Sequence, residues 1–236
     1  MMPLFFIFAC VRYPTEDFRV DELRLSYSVL AENLEEATVR VRLSSISDPL
    51  SADVILSSED SLYIEHDGDS YILDEEDSSI FILTDVEYTA KIPYSDTSKP
   101  FTLVFDRPTG QYRTDIHLVN DFSVSLQYDE LFVVSDEEYI PIHVGWSDIN
   151  AEADIKVGVI NTDCVGHLSE SVENTGEVNV EIHLYDPVVQ VGLFDLLCPV
   201  EVSVYASVVG HNNEFGDSYI RGYQRRSSYI KVLYKP

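Results

Sequence analysis

The chain has 236 residues, 45% of them hydrophobic, and carries 42 acidic against 15 basic side chains for a net charge of -27. That much apolar mass builds a core and argues against disorder. The charge opposes nucleic-acid binding, which needs lysine and arginine against phosphate, and it repels anionic lipid headgroups.

The chain opens on an apolar run, Met1-Met2-Pro3-Leu4-Phe5-Phe6-Ile7-Phe8-Ala9-Cys10, and its first positive charge is Arg12. A membrane-spanning helix needs about 20 apolar residues, so this run is too short to cross a bilayer. Without a basic start it is not a complete signal peptide either. Ile7-Phe8-Ala9-Cys10 resembles the lipobox of bacterial lipoproteins: an aliphatic residue, a variable one, a small one, then cysteine. The resemblance implies that Cys10 becomes the lipid-anchored first residue. A buried first strand with a structural cysteine, or an ordinary cleaved leader, are the competing readings of the same residues. Residues 1–17 are thus read as a leader remnant and tether.

From Phe18 onward, short alternating segments follow one another with polar turns between. Alternation with a period of two marks a strand with one buried face. Leu25, Tyr27 and Val29 share a face, and an acidic turn follows near Glu32 to Glu36. Val39, Val41 and Leu43 lie opposite Arg40 and Arg42. Further stripes are Phe101-Leu103-Phe105, Ile155-Val157-Val159, Val178-Val180-Ile182-Leu184 and Val200-Val202-Val204-Ala206-Val208. Turn signals sit at Asp67-Gly68, Pro108-Thr109-Gly110, Asn174-Thr175-Gly176 and between Gly210 and Gly216. No window shows a helical stripe. Strands at this spacing predict an all-β chain of two tandem immunoglobulin-like antiparallel β-sandwiches, the first over 18–121 and the second over 122–236. One strand is expected to run from the first into the second near Asn120 to Tyr128.

Cys164 ends a predicted strand and Cys198 precedes the stripe beginning at Val200. In an exported protein this pair predicts a disulfide, with two separate buried thiols as the alternative. The acidic run from Glu65 to Asp77 raises calcium, with Asp67, Asp69 and Asp74 as candidate ligands. The spacing fails an EF-hand loop: counted from Asp67, positions 5 and 12 are Tyr71 and Ser78. A solvated hairpin explains the same residues, so no cofactor is expected beyond that calcium candidate. Arg221, Tyr223, Arg225 and Arg226 mix base and aromatic on one segment, a combination that suits an anionic partner or stacks on sugars. The simpler account pairs those arginines with acids of their own domain. Trp146, in phase with Ile140, Ile142 and Val144, is expected in the core, and His143 and His183 on the polar face of their strands. No nucleophile elbow, zinc-protease helix or phosphate-binding glycine loop occurs, and no catalytic residue is assigned.

The plan resembles uncharacterised bacterial exported lipoproteins with tandem immunoglobulin-like sandwiches. The resemblance implies a non-enzymatic protein of the bacterial cell envelope, lipid-anchored at the outer membrane or periplasmic. It would meet a protein or glycan there and touch the membrane only through the anchor. A carbohydrate-binding or calcium-dependent adhesion module is the alternative.

Overall fold

The computed structural model describes residues 12–47, 54–80, 83–134, 139–160, 165–183, 196–212 and 214–235. Cys10, Cys164 and Leu184 lie outside the described residues. Among those described there is no α-helix, and the only helical turns are two short 3-10 segments, Thr15–Asp17 and Val20–Glu22. None of the described residues forms a helix long and apolar enough to cross a membrane.

The chain forms two compact units. One takes the residues up to His117 together with Val209–Gly222; the other takes Leu118–Val208 and the chain from Tyr223 on. The path differs from a simple succession of 18–121 and 122–236, because residues 209–222 return to the first unit. No strand crosses near Asn120 as expected, since residues 117–122 are not in strands. The shared strands lie late in the chain. They are 15 and 19 residues long, well beyond the five or six of a common strand, and so each contributes to both units.

In the first unit, β1 (Tyr13–Pro14) pairs in parallel with β4 (Val54–Ile55). β2 (Leu23–Ala31) and β3 (Glu36–Ser45) form an antiparallel hairpin around the acidic turn, with Val29 opposite Val39. One sheet of this unit runs through β2, β3, β8 (Leu83–Pro93) and β7 (Asp74–Ile80). The other runs β10 (Gly110–Ile116), β9 (Phe101–Arg107), β5 (Ser61–His66), β6 (Asp69–Ile72). The alternating stripes are the reason for the two layers. Leu25, Tyr27, Val29, Val39, Val41 and Leu43 from the first sheet are all buried, as are Ile64, Phe101, Leu103 and Phe105 from the second. Tyr27 crosses between the sheets: its hydroxyl donates to the Phe101 carbonyl at 2.9 Å. Burial pushes the Tyr27 phenol up, and Asp115 adds to that.

In the second unit, β11 (Ser123–Leu126), β13 (Tyr139–Ser147) and β16 (Glu177–His183) make one antiparallel sheet. The opposite sheet runs β15 (Leu168–Val172), β14 (Asp154–Ile160), β17 (Leu196–Gly210), β18 (Asp217–Lys235). β12 (Glu130–Val134) joins it in parallel with the end of β18. The core holds Ile140, Ile142, Val144 and Trp146 of β13 against Ile155, Val157, Val159 and the β17 stripe. Trp146 is buried as expected, and its Nε1 donates to Asn174 Oδ1 at 3.0 Å, which satisfies the one polar atom it buries. Gln224 is buried too. With its amide oriented to satisfy both, it donates to the carbonyls of Val119 (2.8 Å) and Asn120 (3.2 Å).

The returning segment is seated in the first unit by specific packing. Phe215 stacks near Phe105, at 6.2 Å between rings. Asn212 donates to Thr114 Oγ1, and Arg24 pairs with Asp217 at 2.9 Å. Gly216 is fixed by sterics: a Cβ there would lie 2.0 Å from the Asp21 carbonyl oxygen.

Candidate functional site

The loop end of the first unit gathers the most varied side-chain chemistry. The β5–β6 hairpin turns at Asp67 and Gly68, with φ of 50° and 90°. Both values lie in the left-handed region, which glycine adopts freely and aspartate tolerates, and they suit a tight two-residue hairpin. Beside it runs the connection from β8 to β9, residues 94–100. There Ser98 N–H donates to Asp96 Oδ1 at 2.9 Å, and the bonds from the Ser98 hydroxyl and N–H hold the Asp96 carboxyl below its usual range. Tyr94 is buried, packs edge-on against Phe101 and donates its hydroxyl to the Asn33 carbonyl.

His66, at the end of β5, is only 4% exposed. Its ring stacks on Phe101 at 4.0 Å, and Nδ1 lies 3.1 Å from the Pro100 carbonyl oxygen. Two cavities meet at this histidine. The larger, about 670 Å³, includes Glu65, Asp67, Ser70, Lys99 and Thr102 in its walls. The smaller, about 260 Å³, includes Asp67, Asp69, Tyr71, Tyr94, Asp96 and Lys99. Lys99 Nζ stands 3.6 Å from Asp67 Oδ1. Glu65 pairs with Arg113 across the sheet, and Thr102 donates to Asp115.

The calcium candidates are separated by the topology. Asp67 and Asp69 belong to the hairpin, while Asp74 stands on β7 opposite Thr89, in the other sheet. Among the described residues no group of three or more His, Cys, Asp or Glu could hold a metal ion. Among the described residues β7 pairs with β8 alone and so lies at the edge of its sheet. Its exposed Asp74, Glu75 and Glu76 therefore charge that edge, which discourages strand addition and aggregation.

The basic segment is one strand, not a pair. Arg221 falls in the first unit; Tyr223, Arg225 and Arg226 fall in the second. Arg225 pairs with Glu201 at 2.6 Å and lies over the Tyr205 ring. Arg226 pairs with Asp121 at 3.0 Å and covers Phe122. Arg221 packs over Tyr219. Bonds from the Ser227 hydroxyl, then Arg225 and Ser203, hold the Glu201 carboxyl below its usual value. His143 is on the outer face, 3.0 Å from Asn179 and 3.4 Å from Glu177, and His183 lies beside Tyr139.

One cluster had no signal in the sequence. Arg107, Asp60 and Thr15 come from three distant segments and meet out of water, the Arg107 and Asp60 side chains being 8% and 2% exposed. Their ion pair spans 3.3 Å, Thr15 donates to Asp60, and Arg107 donates to the carbonyls of Thr15 (2.7 Å) and Phe18 (2.9 Å). This latch fastens the start of the described chain to β9 and to the loop before β5.

Fold and contacts define a tandem of two immunoglobulin-like β-sandwiches. No protein-family model matches the chain, and no curated protein does. Among solved structures it is similar to a tandem of titin immunoglobulin domains at 10% identity, covering 91% of this chain and 94% of that one, with a TM-score of 0.25. It is similar to a bacterial ice-binding adhesin involved in host-cell surface retention at 10% identity, 89% and 64% coverage and a TM-score of 0.29. The ectodomain of mouse nectin-like molecule 4 aligns at 8% identity, 91% and 65% coverage and a TM-score of 0.27. Superpositions this loose carry no argument about function; the fold rests on the strand order and burial given above.

Proposed function

We propose that the chain is a non-catalytic binding or structural module, presented outside the cytoplasm, that meets its partner through the loop end of the first unit. The observation that carries this reading is the paired cavity around His66, where a hairpin turn and a seven-residue connection (residues 94–100) bring polar groups over a rigid aromatic floor. Sites of this kind, loops held by a stiff scaffold, are where sandwich domains meet ligands. Lipid anchoring through Cys10 in a bacterial envelope is part of the proposal and rests on the lipobox-like residues. A Cys164–Cys198 bridge is part of it too, since an exported protein sits where disulfides form. β14 and β17 pair with Ile160 opposite Glu201. Cys198 is buried on β17, three residues before Glu201. Closing 34 residues (198 − 164) would contribute about 3–4 kcal/mol by the chain-entropy account. Mass spectrometry of protein from its native host tests both: an acylated Cys10 and a non-reduced peptide pair are expected, whereas an intact Met1 with free thiols would remove them.

The loop-end reading is tested by thermal melting with calcium, neutral oligosaccharides and short charged peptides. A ligand that binds the folded state raises the Tm. The reading expects one of these classes to do so and the shift to vanish when Asp67, Asp69 and Asp96 are changed to Asn. A shift that survives those changes places the site elsewhere. The calcium-dependent or glycan-binding alternative draws on the acidic rim at Asp67 and Asp69 and expects its shift from calcium or the oligosaccharides.

A further inference from the structure

The geometry points to an arginine side chain of a protein partner as the ligand of the smaller cavity. This inference rests on the loop-end reading above and specifies its chemistry. A carbonyl oxygen only accepts, so the contact between His66 Nδ1 and Pro100 O places the ring proton on Nδ1. In the neutral ring Nε2 then carries a lone pair, and His66 lines both cavities. Around it stand the carboxylates of Asp67, Asp69 and Asp96. The strongest groups here accept hydrogen bonds, and they are spread around a space of about 260 Å³ instead of converging on one point. A calcium ion needs convergence. A guanidinium does not: it is flat, donates five hydrogen bonds in a plane, accepts none and packs on aromatic side chains, of which Tyr71 and Tyr94 line this cavity.

Lys99 already occupies part of this place. Its ammonium sits 3.6 Å from Asp67 with both side chains at least half exposed. An exposed pair of that kind contributes about 0–1 kcal/mol, so a better cation displaces it easily. Asp96 feels Lys99 and His66 only as longer-range attraction behind its bonds from Ser98, and Asp69 makes no ion pair among the described residues. The cavity thus holds more negative charge than its own lysine neutralises, and Lys99 acts as a weak internal competitor.

The test is an NMR titration of the whole chain with a Gly-Ser-flanked single-arginine peptide, its citrulline counterpart and maltotriose. Citrulline keeps the shape of arginine and removes its charge. The arginine peptide is expected to shift the amides of Asp67, Asp69 and residues 95–99, and citrulline to weaken this at least about fivefold. Lys99→Met is expected to raise the affinity at least about twofold by removing the competitor. Lys91→Met serves as the matched control, because Lys91 also stands 3.6 Å from its partner, Glu36, on the outer face of β8 and β3, and it should leave the affinity unchanged. Equal binding of the citrulline peptide, shifts scattered over the acidic surface, or equal effects of Lys99→Met and Lys91→Met overturn the arginine inference. Shifts at these amides with maltotriose alone overturn it while leaving the loop-end reading intact. If none of the three moves them, the arginine inference fails, and the loop-end reading fails with it when calcium also leaves the Tm unchanged.

Discussion

In the first unit, Arg107 and Asp60 are withdrawn from water at 8% and 2% side-chain exposure; two backbone carbonyls accept from the guanidinium, and its buried Nε faces Asp60 without a hydrogen bond. In the second, Arg225 and Glu201 meet at 2.6 Å with about a fifth of each side chain still exposed, and Arg226 reaches an Asp121 that is half exposed. The density of charge along the sequence ranks these sites in the opposite order to their burial. Neighbouring arginines on one strand are shared out among separate acids. The buried pair is assembled from residues 47 positions apart (107 − 60), neither of them distinctive in its own segment.

The difference can be broken by substitution. Arg107→Ala leaves a buried carboxylate without its cation and is expected to cost about 3–5 kcal/mol in urea unfolding. Replacing both partners, Arg107→Met with Asp60→Leu, should cost less than the single change, since no charge is then stranded. An equal or larger loss in the double variant would show that packing, not charge, dominates there. Arg225→Ala is expected to cost about 1.5 kcal/mol, because its charged bonds to Glu201 and Ser203 are partly shielded. Arg226→Ala should cost below about 1 kcal/mol.

The pH dependence separates the units further. The Glu201 carboxyl is depressed in the folded state, so its contribution is present above the ordinary value of 4.5 and fades as pH falls through the lowered one. Glu201→Gln should therefore flatten the acid limb of stability in that window. In the first unit, burial raises the Tyr88 phenol from 10.0 to about 12, against a bond from Leu56 N–H that lowers it. Its contribution is complete below pH 10 and is lost as pH rises toward 12, so an alkaline limb should be shallower in Tyr88→Phe. The smallest expected effect is global. With a net charge of -27, screening by salt should raise the Tm by a few degrees, and a flat response would count against self-repulsion.

Where a strand buries one face, the sequence declares it. Val39-Val41-Leu43, Ile155-Val157-Val159 and the β17 stripe alternate because the pleat alternates, and Trp146 follows from the phase of its strand. β18 hides its phase, since its inner face near the middle is Ile220, Gly222 and Gln224, one apolar side chain among a glycine and a buried amide. That is why its length, its return to the first unit and the absence of a crossing strand at Asn120 were not legible. The loop-end site was half legible. Asp67-Gly68 marks a turn, but nothing local brings residues 94–100 beside it; the pairing of β5 with β9 does.

Hydrogen exchange on the Arg107→Ala variant tests the interleaved architecture most directly. The first unit should lose protection, and residues 217–222 should lose it together with β2 and β9, while residues 223–232 of the same strand keep theirs with the second unit. Retained protection across 217–222, in step with the second unit, would contradict the account.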